Sequence, residues 1–218
     1  MLRNIIDVPS LFMPWVQVDW RPDWRGQSTM QANDGSEQVV YNRLPRFVGA
    51  PQIALPREMA GHWRALILQG QGRVNAYRLR MIDPMTCRRR RADWREDWRA
   101  YLAGLYVEVS PQVECPAGAA AGATSIIVDE TTAPRPISVG TYLSYDDWPF
   151  AVVSRSGSGA SVTLGVTMLR KAIPAEAQID LVARGLFVST SDANGLPSFE
   201  RGRPVVGMDL EFVEWITR

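Results

Sequence analysis

Ser125-Ile126-Ile127-Val128-Asp129 opens the stretch that decides the fold. Short apolar runs follow at Thr141–Tyr145, Pro149–Ser154, Ser161–Val166 and Gln178–Val182. Their spacing, about ten residues, is that of strands joined by turns, not of helices. Ser156-Gly157-Ser158-Gly159 supplies a hairpin connection. The pattern predicts a small all-β barrel or sandwich over residues 115–183. A composition shift at Pro111 and the small-residue stretch Pro116–Ala123 precede it.

Outside that stretch the pattern changes. Trp15-Val16-Gln17-Val18-Asp19-Trp20 alternates apolar and polar residues, as a half-buried strand does. Gln31–Ser36 reads as a turn, with strand-like runs at Gln38–Tyr41, Arg46–Val48 and Gln52–Leu55. From Pro56 to Gln69 the period becomes helical, because Met59, Trp63, Leu66 and Ile67 fall on one face. Gly70 and Gly72 suit the helix exit. Val74–Ile82 and Leu105–Val109 return to strand, and Trp94, Trp98 and Tyr101 share the face of a short helix or ordered loop. After Gly185–Thr190 and a Gly/Pro-rich loop, the alternation of Val205–Ile216 reads as one long strand rejoining the first sheet. The chain is therefore expected to be mainly β with one or two helices. Residues 1–114 and 184–218 form one domain, and residues 115–183 form an inserted small all-β domain.

Composition excludes little but is informative. The 218 residues are 46% hydrophobic and 22% charged, with a formal net charge of +1. Such a chain buries a core and carries no bulk field toward nucleic acid or membrane. No apolar run approaches the roughly 18–20 residues of a membrane span. Met1–Asp7 lacks a secretory pattern, so assembly in a cytoplasm is expected, with no membrane insertion. Cys87 and Cys115 have no partners at metal-ligand spacing, and free thiols are expected.

Catalytic chemistry finds little footing. His62 is the only histidine, and a partly buried structural role is expected for it. Asp146-Asp147 and Glu130 are the nearest thing to paired carboxylates, but Asp146-Asp147 sits between strand signals and reads as a turn. Asn33-Asp34-Gly35 lacks the other ligands of a calcium loop. No catalytic residue, metal site or cofactor is expected. The run Arg88-Arg89-Arg90-Arg91 reads as contact with an acidic partner patch, as contact with DNA phosphates, or as a solvated loop neutralised by Asp93, Glu96 and Asp97. Of the eight tryptophans, Trp20, Trp24, Trp94 and Trp98 are candidates for subunit interfaces, although each alone fits a core. Tyr145 and Trp148 are candidates for stacking on a sugar.

The order of elements carries a resemblance. Asp34-Gly35-Ser36-Glu37-Gln38, Pro51–Leu55, Ala60-Gly61-His62-Trp63-Arg64-Ala65, Gly72–Leu79 and Asp83-Pro84 come first. Ala121–Val128, Ser138–Tyr142 and Thr167–Pro174 follow. This ordered set, over about residues 25–216, resembles the distal tail or minor tail proteins of long-tailed bacteriophages and phage-like particles. Arg88–Ala103 departs from the family, where a Gly-rich loop is usual. The resemblance implies a tail-tube-like β-sandwich with a flanking helix and an outward-facing inserted domain. It implies a homo-oligomeric ring, usually a hexamer, joining the tail tube to the tail hub or baseplate at the tail tip of the virion. Its implied partners are its own copies, the tail tube protein and the hub or baseplate proteins, with passing genomic DNA touched only non-specifically. The inserted domain would face fibres, other tip proteins or a cell-surface carbohydrate.

Overall fold

A computed structural model describes residues 3–13, 15–24, 45–82, 94–192, 197–200, 203–206 and 211–218. Among them are fourteen strands, two α-helices and one 3-10 turn, so the protein is mainly β, the class read from its sequence. The first six-stranded sheet runs in the order β1 (Ile5–Asp7), β4 (Ala76–Arg80), β11 (Arg184–Ser189), β14 (Phe212–Glu214), β3 (Arg46–Ile53), β2 (Val16–Asp23). Its pairs are antiparallel except β1 with β4, where Ile5 stands opposite Ala76.

Helix α1 (Arg57–Gly70) buries Met59, Trp63, Leu66 and Ile67, the face read from the sequence. These side chains join Phe12, Trp20, Phe47, Tyr77, Phe187 and Phe212 in an aromatic-rich core. The helix exits through Gln71, at φ 49°. Gly70 is required by a close approach: a Cβ there would lie 1.6 Å from the Tyr77 hydroxyl. That hydroxyl donates to the Ile67 carbonyl at 3.2 Å, and burial pushes its pKa up to about 12. Helix α2 (Trp94–Leu102) follows, and Trp98 packs edge-on to Phe12 and His62.

The second sheet runs β5 (Gln112–Cys115), β10 (Ala177–Asp180), β7 (Tyr142–Tyr145), β8 (Trp148–Ser158), β9 (Ser161–Val166), β6 (Ser125–Val128). It curls until its edges meet, where the Asp129 amide donates to the Glu114 carbonyl at 2.9 Å. The inside is filled by Val113, Cys115, Val128, Leu143, Val162, Leu164 and other mostly aliphatic side chains. Tyr145 pairs with Trp148 across Asp146 and Asp147, whose φ values of 48° and 63° make a two-residue hairpin turn of the I′ kind.

Two expectations are corrected. The apolar tail of the sequence is not one strand: β13 (Arg203–Val206) pairs with β12 (Pro197–Glu200) in a separate ribbon, and only β14 enters the first sheet. Alternation marks a strand but not the sheet it joins. Leu105–Val109 has the alternation of a strand yet pairs with no strand among the described residues. The expected strand Gln38–Tyr41 and the turn at residues 31–36 lie outside the described residues.

Candidate functional site

Two features of the surface stand out, and the first begins at the end of α2. The Gly104 amide donates to the Tyr101 carbonyl, and the Leu105 amide donates to that of Ala100. Gly104 itself has φ 71°. Together these make a helix-ending Schellman motif, which needs a residue tolerant of the left-handed region. The chain then runs out extended. Tyr106 turns inward, its hydroxyl 2.9 Å from that of Ser10, and burial raises its pKa. Glu108 also turns inward, onto Arg80. The alternate side chains point out: Leu105, Val107 and Val109 are 74%, 77% and 83% exposed. Leu102, at the end of α2, continues this apolar face. Residues 106–110 make no backbone–backbone hydrogen bonds among the described residues.

The second feature is a charged seam between the two sheets. The turn carboxylate of Asp147 is 7% exposed and accepts from Nε of Arg78 on β4 at 3.0 Å and Nε of Arg184 on β11 at 2.6 Å. Arg218 donates to the Asp147 carbonyl at 2.5 Å and lays its guanidinium 3.7 Å over the Trp148 ring. Burial pulls the Arg218 pKa down to about 10, against the attraction of Glu214 and Asp147. Glu214, 2% exposed, accepts from the Phe47 amide at 2.9 Å and pairs with Arg170, which leaves the curled sheet to reach it. Asp146 points outward and pairs with Lys171, which raises the lysine pKa.

The residues singled out in the sequence fall as follows. Trp20 and Trp98 are buried in the chain's own core. Trp94 is half-buried, edge-on to Trp15 with Arg95 over its ring. Trp24 is 45% exposed and borders a shallow depression of about 340 Å³ with Arg21, Asp23, Arg46 and Glu211. His62 is exposed at the surface of α1, not partly buried, with its ring against Trp98 and Tyr101. Helix-face spacing places it one residue off the buried stripe. Arg88, Arg89, Arg90, Arg91 and Cys87 lie outside the described residues. Tyr145 and Trp148 are adjacent across the hairpin, but Arg218 covers one face of Trp148, and the cleft beside it holds only about 10 Å³. A sugar ring stacking there would have to displace Arg218.

Glu130 is held by Arg155 at 2.6 Å and by the Ile137 amide, and Asp147 by its two arginines, so each carboxylate is engaged within the fold. No group of three or more His, Cys, Asp or Glu could hold a metal ion among the described residues. No helix among them is long and apolar enough to cross a membrane. The seam was missed in the sequence, because its arginines come from positions 78, 170, 184 and 218 and no local spacing links them. No protein-family model matches the chain, and no curated protein matches it.

Proposed function

We propose that this chain is a structural subunit of a phage tail tip, of the distal tail type. In this reading it forms a ring that joins the tail tube to the hub or baseplate and surrounds the DNA channel, acting by assembly and not by catalysis. The ordered sequence motifs suggest the tail. The observation that carries an assembly role is the segment Leu105–Val109. An extended backbone without ladder partners among the described residues, with three apolar side chains turned to solvent, is a surface suited to being covered. Its one charge, Glu108, is neutralised inward by Arg80, so a second copy can approach without repulsion. A net charge of +1 adds no long-range barrier to self-association.

Light scattering with size-exclusion chromatography, followed by negative-stain imaging, tests the reading. The purified protein should form closed rings, and Val107→Asp should yield monomers with an unchanged far-UV spectrum. A wild-type protein that stays monomeric at every concentration and is absent from purified tails would sink it.

A further inference from the structure

We infer that the charged seam is a clamp: it holds the curled sheet in one orientation on the first sheet, and its release lets the curled sheet swing while both cores stay folded.

The two sheets have separate hydrophobic cores, and among the described residues no buried cluster spans them. The chain passes between them twice, at Ser110–Gln112 and at Leu181–Ala183, and the passages lie side by side. The Leu181 amide donates to the Pro111 carbonyl at 2.9 Å. Adjacent crossings define a hinge line, because both strands of chain can bend about one axis. Close to this line, the Ser144 hydroxyl accepts from the Arg184 amide at 2.8 Å.

Away from the hinge, polar contacts join the sheets alongside a few apolar ones. Tyr142 is the main apolar bridge; its ring lies edge-on to Phe47 and its hydroxyl donates to the Trp20 carbonyl at 3.1 Å. Pro149 lies against Gly185, where a Cβ would stand 3.4 Å from the proline ring. Ion pairs also bridge the sheets, Asp147 with Arg78 and Arg184 and Glu214 with Arg170, and the Arg218 guanidinium makes a cation–π contact with Trp148. A polar interface between two independently cored units is where relative motion is expected. Removing one partner of a buried pair strands a charge. Opening at the hinge relieves that cost by returning the stranded group to water, and it leaves both cores intact.

The test uses the full chain with Asp147→Asn and Glu214→Gln combined, and Arg218→Ala as a separate variant. Small-angle scattering should show a larger maximum dimension. Limited proteolysis at residues 103–111 and 181–183 should accelerate at least about tenfold, since cleavage follows the open population. Hydrogen exchange should remain slow at Leu164 and Val128 in one core and at Tyr77 and Leu79 in the other. Arg218→Ala should open the seam less and raise the solvent exposure of Trp148. Glu130→Gln, which breaks a pair inside the curled sheet, should leave the scattering curve as wild type. The inference is overturned if the double variant scatters and cleaves like wild type. It is equally overturned if both cores lose protection together, because the sheets are then one cooperative body.

Discussion

The curled sheet takes all six of its strands, β5 to β10, from residues 112–180, whereas the first sheet gathers β1, β2, β3, β4, β11 and β14 from both sides of that stretch. The interiors differ as sharply. Trp20, Trp63, Tyr77, Phe187 and Phe212 fill the first, while valines, leucines and isoleucines with Phe150 fill the second. Edges differ too: the second sheet closes on itself at Glu114 and Asp129, whereas the first does not close among the described residues. A contiguous stretch of chain makes a self-contained unit with little surface left to satisfy. The region assembled from distant pieces carries the apolar segment Leu105–Val109, without a ladder partner among the described residues, and this is the surface proposed above for joining a neighbour.

The largest expected effects break this contrast directly. Trp63→Ala should cost about 3–5 kcal/mol in the first region. Denaturant melts followed by exchange at Leu164 would show the curled sheet still protected; simultaneous loss would make the two regions one unit. Leu164→Ala should cost about 2–5 kcal/mol in the curled sheet and leave Tyr77 protected in turn. Next comes an alkaline transition peculiar to the first region. Tyr77 holds its proton more tightly folded, near pH 12, than unfolded, near 10. Its contribution is therefore complete below pH 10 and is lost as pH rises toward about 12, roughly 2–3 kcal/mol in all. Tyr77→Phe should flatten that slope in pH-dependent melts. Gly104→Ala should cost about 1–2 kcal/mol by forcing a side chain into the left-handed region, with the change confined to exchange in α2. Smallest of all, Lys171→Met removes an exposed pair with Asp146 and should shift stability by less than about 1 kcal/mol in a urea melt.

The sequence made legible what is local. The buried stripe of α1, the turn at Asp146-Asp147 and the short strands of the curled sheet all follow from spacing within a dozen residues. The parallel pairing of β1 with β4, and the placing of β11 between β4 and β14, join residues far apart and leave no periodic signal. Leu105–Val109 teaches a further limit. Alternation records that one face is used and the other is not, and says nothing about whether the backbone finds its ladder within the same chain. The seam was invisible for a related reason: Arg78, Arg170, Arg184 and Arg218 meet only after both sheets have formed. For the candidate interface aromatics, residue type alone could not separate Trp24, at the surface, from Trp20 and Trp98, in the core.

Cys115 sits at the closing edge of the curled sheet, fully enclosed, with its thiol pKa raised by burial. A haloacetamide reacts with thiolate that solvent can reach, so this sulfur is silent until the sheet uncurls around it. In a chain with Cys87 replaced by serine, the time course of alkylation becomes a stopwatch. It would count each uncurling of one half of the molecule and ignore the swinging of that half as an intact body.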